Sequence, residues 1–344
     1  MSPAAGVRIS SIGTANPPNC FDQEEAFALS GYALPKRRVF RNSGIRSRYF
    51  CIPKQGFSPD ENADQLHRRF TEGALAVGEE ALRRCLERGG RTPQEIDHLT
   101  VATCTGYVCP GLTSLLIARL EMRDDVQRSD LVGMGCCGAL PALQRGFDHQ
   151  RAFPHHRSLL LCVEICSASY FFDDTMETLI GNAICGDGAG AFLLDGGSGS
   201  GPEVLGFESY ITPENLHWMG FEFCAGKLRL ILHRDIPAGV PPLARQAAGR
   251  LLKRFDLEFE DVDHWILHPG GRKVIDRLQE GIGLSEQQVR CTKETYRDFG
   301  NMSSATVMFV LDKVVREARP RPGEIGLMMA MGPGFTIESA LLRW

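Results

Sequence analysis

Three side chains, Cys136, His268 and Asn301, are of types that can together run acyl transfer through a cysteine nucleophile. A cysteine attacks a carbonyl and holds the acyl group, a histidine handles the proton, and an amide hydrogen-bonds the oxyanion. Cys136 follows the apolar run Asp130-Leu131-Val132-Gly133-Met134, read as a strand, and opens a helical pattern through Leu143. Free N–H groups and the dipole at that helix start are expected to lower its thiol pKa. Cys137 diverges from it by ~100° around the helix and reads as packing. His268 ends the strand Trp265-Ile266-Leu267 directly before Pro269-Gly270-Gly271, and Asn301 opens a second helical pattern through Leu311.

Taken singly, each residue has a plainer reading. An unliganded cysteine is a common core residue, a histidine before Pro-Gly-Gly suits a surface turn, and asparagine is among the best helix caps. A Cys/His/Asn set also describes papain-like proteases, and the Cys136–His268 spacing falls in their range. The papain signature around the nucleophile is missing, however, and the surrounding pattern of elements is wrong for that fold.

The elements that must position these residues come in two similar sets. A helical stretch and Ile96-Asp97-His98 lead into the strand Leu99–Cys104; a later one and Val262-Asp263-His264 lead into Trp265–Leu267. Gly135-Cys136 and Gly300-Asn301 each open an apolar helix, so Cys136 and Asn301 occupy equivalent places. Strand-like runs at Val7–Ile12, Leu159–Val163, Ala189–Leu194, Val204–Ser209 and Ile325–Met331 alternate with helices, as in largely parallel, helix-covered sheets. The segment Gly196–Gly201 is the clearest linker. It divides the chain into residues 1–200, carrying the cysteine, and 201–344, carrying the histidine and asparagine. In such sheets ligands bind where strand carboxyl ends meet helix starts, and the three residues can converge there.

Composition bounds the function. The chain has 344 residues, 43% of them hydrophobic, and a net charge of −4 with no long basic block, which argues against nucleic acid and anionic membranes. No apolar run is long enough to span a bilayer, and the start Met1-Ser2-Pro3-Ala4-Ala5-Gly6 carries no leader pattern, so a cytoplasmic location is expected. The 12 cysteines, several in apolar segments such as Cys162, Cys166 and Cys185, read as reduced thiols. Neither Cys104/Cys109 nor Cys162/Cys166 has zinc-site spacing, so no metal is expected.

In order along the chain, Gly135-Cys136, Gly186-Asp187-Gly188-Ala189, His268-Pro269-Gly270-Gly271, Gly300-Asn301-Met302-Ser303-Ser304 and Gly332-Pro333-Gly334 resemble successive motifs of type III polyketide synthases. The resemblance runs from about Arg37 to Trp344. The segments Arg128-Ser129-Asp130-Leu131-Val132-Gly133-Met134-Gly135-Cys136, Asp174-Thr175-Met176, Lys273-Val274-Ile275-Asp276 and Met331–Glu338 are most similar to the bacterial branch that makes 3,5-dihydroxyphenylacetyl-CoA from malonyl-CoA.

The resemblance implies a thiolase-like α/β fold of two duplicated halves in α-β-α-β-α layers, a homodimer, and a pantetheine tunnel. Cys136 would hold the growing chain, His268 would stabilise its thiolate, and His268 with Asn301 would bind the thioester oxygen. No cofactor beyond the coenzyme A thioesters is implied. Lys36 and Arg38 would meet the coenzyme A phosphates, with Arg272 or Lys273 near the tunnel mouth. Cys109-Pro110 would form the loop that reaches across the dimer. Gly270, Gly271, Gly332 and Pro333 would border the cavity, with Ser169 and Ser303 lining it, whereas Gly186-Asp187-Gly188 reads as structural. Cys185 and Leu230 stand where many relatives carry gating aromatics, which implies a larger or reconnected cavity. Three alternatives follow: an alkylpyrone or alkylresorcinol synthase with a fatty acyl starter, a single-extension enzyme like β-ketoacyl-ACP synthase III, and a silent partner subunit.

Overall fold

The computed structural model describes residues 6–196 and 201–344. The central residues of the expected linker, 197–200, and the division at residue 200 lie outside the described residues, as does the start of the chain. Among the described residues thirteen strands run in chain order: β1 Val7–Ala15, β2 Asn19–Asp22, β3 Ser47–Phe50, β4 His98–Thr103, β5 Gln127–Val132, β6 Ser158–Glu164 and β7 Gly188–Gly196, then β8 Glu203–Tyr210, β9 Met219–Cys224, β10 Lys227–Leu232, β11 His264–Leu267, β12 Ile325–Gly332 and β13 Thr336–Arg343. Nine of them form a sheet in the order β11-β12-β13-β8-β1-β7-β6-β4-β5. β1 and β8 meet through the single pair Arg8↔Glu203, so two sheet regions share a narrow seam.

The pairing pattern repeats on either side of the seam. β1 is antiparallel to β7, β7 to β6, and β6 is parallel to β4; likewise β8 is antiparallel to β13, β13 to β12, and β12 is parallel to β11. The approach to β4 and β11 repeats as well. The helix Ala63–Gly89 and a short turn at Pro93–Glu95 precede β4, and the helix Ile236–Lys253 and a turn at Phe259–Asp261 precede β11. The aspartates of the two echoed tripeptides do the same work. Asp97 accepts from the Arg157 N–H at the start of β6 and Asp263 from the Ile325 N–H at the start of β12, both at 2.8 Å.

Alternation of side chains along the strands builds the layers. In β6, Leu160 and Cys162 face a central core with the helices Ala139–Ala152 and Thr306–Lys313, while Leu159, Leu161 and Val163 face the outer helix Ala63–Gly89. In β12, Met328 and Ala330 join the central core, and Leu327, Met329 and Met331 pack on the outer helices Ile236–Lys253 and Arg272–Ile282. Because both faces are buried, these strands are continuously apolar. The result is the α-β-α-β-α layering of the thiolase-like fold. A smaller apolar cluster around Phe21, Phe40, Phe50 and Ile184 caps one end of it.

Candidate active site

β5 ends at Val132, two residues earlier than the sequence pattern suggests, because Gly133 (φ +81°) and Gly135 (φ +53°) leave the extended region. A side chain at Gly135 would place its Cβ 2.3 Å from the Pro333 ring, so only glycine permits this turn. Cys136 therefore sits in a short 3₁₀ turn, Gly135–Cys137, and the helix proper begins at Ala139. This overturns the expectation of a lowered thiol pKa at a helix start. Burial pushes the Cys136 thiol up to about 12, and the hydrogen bond from the Ser303 hydroxyl, 3.4 Å away, only partly opposes it. Cys137 turns into the central core, its thiol donating to the Met134 carbonyl at 3.0 Å, as expected for packing.

His268 continues from β11, its N–H donating to the Met329 carbonyl at 2.8 Å. The ring is buried, not on a surface turn, and neither ring nitrogen has a partner among the described residues. Burial lowers its pKa to about 3, so the imidazole is neutral and offers one N–H and one lone pair. Asn301 is tied to the cap region through its N–H to the Ile184 carbonyl at 2.8 Å and a bridge to Cys185. Its side-chain oxygen accepts from the Ser303 N–H at 2.8 Å, the bond a capping asparagine makes. That bond fixes the amide and leaves its NH₂ donors free of any partner among the described residues.

Cys136, His268 and Asn301 line one cavity with an empty volume of about 840 Å³, counting the solvent at its mouth. Ser169, Cys185, Leu230, Gly270, Ser303 and Pro333 line it too. Gly271 and Gly332 flank lining residues without lining the cavity themselves. Lys36, Arg38 and Cys109 lie away from its wall. The Lys36 ammonium meets the exposed Asp174 carboxylate, Arg38 is exposed on the short helix Arg37–Arg41, and Cys109 is exposed before the cis Pro110. Leu230 leans on Gly181 and pairs across the β9–β10 hairpin with Phe221, another lining residue, so that Phe221 and Tyr170 supply the aromatic wall.

Sequence reasoning missed Glu164. This fully buried carboxyl, raised in pKa by burial, accepts from the Thr105 hydroxyl and the Cys104 N–H, both at 3.0 Å, and from the Ser304 hydroxyl. The Cys104 thiol lies 3.5 Å from Glu164 and 3.2 Å from the Ser303 hydroxyl, which touches Cys136. A polar chain thus runs from the cavity thiol to a buried acid. Its signal was a glutamate ending the otherwise apolar run Leu159-Leu160-Leu161-Cys162-Val163. Asp187 is structural, as expected: its carboxylate accepts from the Ser167 N–H and hydroxyl and the Cys51 N–H at 2.6–2.8 Å.

Residues 11–200 match the family described as "FAE1/Type III polyketide synthase-like protein", and residues 211–344 match "Chalcone and stilbene synthases, C-terminal domain". The chain belongs to the type III polyketide synthases. The synthase is 38% identical to the 3,5-dihydroxyphenylacetyl-CoA synthase of Amycolatopsis balhimycina, covering 98% of this chain and 93% of that protein. It is 32% identical to the 1,3,6,8-tetrahydroxynaphthalene synthase of Streptomyces peucetius subsp. caesius, again over 98% of this chain and 93% of that one. The crystal structure of PKS-I from the brown alga Ectocarpus siliculosus superposes with a TM-score of 0.93 at 28% identity, covering 99% of both chains. As a member of the family the protein is an acyltransferase that performs decarboxylative Claisen condensation on coenzyme A thioesters. No helix among the described residues is long and apolar enough to cross a membrane.

Proposed function

We propose that this synthase condenses malonyl-CoA iteratively on Cys136 and cyclises the chain to 3,5-dihydroxyphenylacetyl-CoA or a related aromatic polyketide. The observation that carries the catalytic reading is a buried neutral imidazole and a fixed amide, both with unused donors, in the same cavity as a thiol. The His268 lone pair takes the Cys136 proton to give a thiolate–imidazolium pair from two neutral groups. The sulfur then attacks the incoming thioester, and coenzyme A leaves as its thiol with the proton from the imidazolium. The malonyl carbonyl oxygen then lies between His268 and Asn301, and loss of CO₂ places the enolate charge on that oxygen. Donors aimed there lower the barrier without a strong base. The enolate carbon attacks the acyl-Cys136 carbonyl, the sulfur leaves, and the lengthened chain returns to it for another round.

The aromatic product is favoured by the 38% identity with a 3,5-dihydroxyphenylacetyl-CoA synthase. Arg38, Arg272 and Lys273 are exposed cations available for coenzyme A phosphates, and Lys36 joins them once it leaves Asp174. Residues 1–200 and 201–344 act as two halves of one unit, which the repeated strand pairing supports. Two copies associate through the edge strand β5, where Val132 and nearby Tyr107 are exposed, with the Cys109-Pro110 loop beside them. Free thiols throughout the chain support a cytoplasmic location. Incubation with isotopically labelled malonyl-CoA, alone and with a long-chain acyl-CoA, tests the product. A labelled dihydroxyphenylacetyl thioester or acid from malonyl-CoA alone supports the assignment; a labelled alkylpyrone or alkylresorcinol only with the acyl-CoA replaces it.

A further inference from the structure

Three further thiols, Cys104, Cys166 and Cys185, line the cavity that holds Cys136; the mechanism uses none of them, and the last two lie on adjoining segments. The backbone brings their segments together. The Ser167 N–H and hydroxyl bind the Asp187 carboxylate at 2.8 and 2.6 Å, lacing the residue after Cys166 to the turn after Cys185. Both cysteines also converge on Asn301: Cys185 bridges to it, and the Cys166 sulfur lies 4.0 Å from its carbonyl oxygen.

Beside Cys185 lies an unusual cation. Arg48 is fully buried and has no carboxylate partner among the described residues. One of its nitrogens donates to the carbonyls of Asn182 and Cys185 at 2.8 and 2.7 Å, while Nε and the other terminal nitrogen have no partner. A buried guanidinium in this state favours negative charge nearby. Consistent with that, the Cys185 thiol is lowered in pKa by a hydrogen bond from Cys166 and by Arg48, while the same hydrogen bond and burial push Cys166 up and burial pushes Cys136 up. A thiol whose ionisation is favoured, with a second thiol at hand, is the arrangement of an oxidisable pair.

We propose that Cys166 and Cys185 form a reversible oxidation site in the cavity wall, which a hydroperoxide converts to a disulfide that shuts the synthase off. The Cys185 thiol gives up its proton as its sulfur attacks the O–O bond of hydrogen peroxide, forming a sulfenic acid and releasing hydroxide, which takes up that proton to become water. The Cys166 sulfur then attacks that sulfenic sulfur, and its thiol proton leaves with the departing oxygen as a second water. Two electrons pass from the sulfurs to one peroxide. The new bond draws together the two segments that Asn301 contacts, displacing its amide from the thioester site. The disulfide is independent of the role given to Cys136, whereas its effect on turnover rests on the proposed mechanism.

The test treats the full-length protein with hydrogen peroxide, alkylates the remaining thiols and maps the peptides by mass spectrometry. A Cys166–Cys185 linked peptide is expected in the wild type and in Cys136→Ser, and in neither Cys185→Ser nor Cys166→Ala, two variants that cover each other should one fail to fold. Wild-type turnover is lost with formation of the link and returns with dithiothreitol, which does not reverse a cysteine sulfinate. Sulfinate on Cys136 with Cys166 and Cys185 unlinked, or a link from either to Cys104 or Cys136, overturns the proposal. Should the link form while Cys136→Ser still makes polyketide, the oxidation site stands and the proposed nucleophile falls.

Discussion

The turn that carries Cys136 and the turn that carries Asn301 are built alike and used differently. Each follows a glycine with positive φ, Gly135 at +53° and Gly300 at +71°, and each passes through a 3₁₀ turn into a helix packed between the sheets. The approach differs: Cys136 follows a partly exposed edge strand, whereas Asn301 follows the amphipathic helix Glu286–Phe299 and is pinned to the cap region by Ile184 and Cys185. Their side chains also meet opposite fates. The Asn301 oxygen is spent on the Ser303 backbone so that its donors are fixed, while the Cys136 sulfur receives a single hydroxyl and stays protonated. The same backbone device thus delivers a rigid donor on one side and an unactivated nucleophile on the other. In the proposed scheme activation comes from His268 when substrate arrives.

That contrast can be broken one residue at a time. Cys136→Ala removes the only acyl carrier in the scheme, and polyketide formation from labelled malonyl-CoA should fall more than about a thousandfold. Asn301→Ala removes one enolate donor and should slow malonyl decarboxylation, followed as CO₂ release, by ~10²–10³ while loading of an acyl-CoA on Cys136 persists. If loading fails equally, the two turns do not divide the labour as described. Ser303→Ala deletes the one hydroxyl on the sulfur, and because a neutral hydrogen bond contributes only ~1 kcal/mol, turnover should stay within about tenfold of wild type.

The smallest effect is on stability. His268 is held neutral in the fold, with its pKa lowered from 6.5 to about 3, so below pH 6.5 the unfolded chain binds a proton that the folded one does not. His268 therefore subtracts stability progressively as pH falls from 6.5 towards 3. Asp187, raised to about 6, works the other way: it binds a proton in the fold first and adds stability between pH 6 and 3.8. Urea titrations across this range should show wild type losing more stability on acidification than His268→Asn. Equal losses would mean that the imidazole is not held neutral.

Much of this was legible because burial leaves a period. The doubled helix-strand pattern, the aspartates before β4 and β11 and the convergence of Cys136, His268 and Asn301 on one cavity could be read from local sequence. So could the packing role of Cys137. The thiol pKa of Cys136 could not, since it depends on burial in the assembled cavity rather than on the helix that follows. Phe221 was hidden for a similar reason: which side chain of a short hairpin faces a cavity is decided by the hairpin's docking. Arg48 left a signal that went unread. It alternates with Phe50 and Ile52, and period-two alternation puts it on their buried face despite its charge.

The account rests on the chain growing on one sulfur, and mapping a trapped acyl group tests that directly. The Asn301→Ala protein, incubated with a labelled acyl-CoA, quenched in acid and digested, should carry its label on the Cys136 peptide. Label on the Cys104, Cys166 or Cys185 peptide, with Cys136 unmodified, would contradict it.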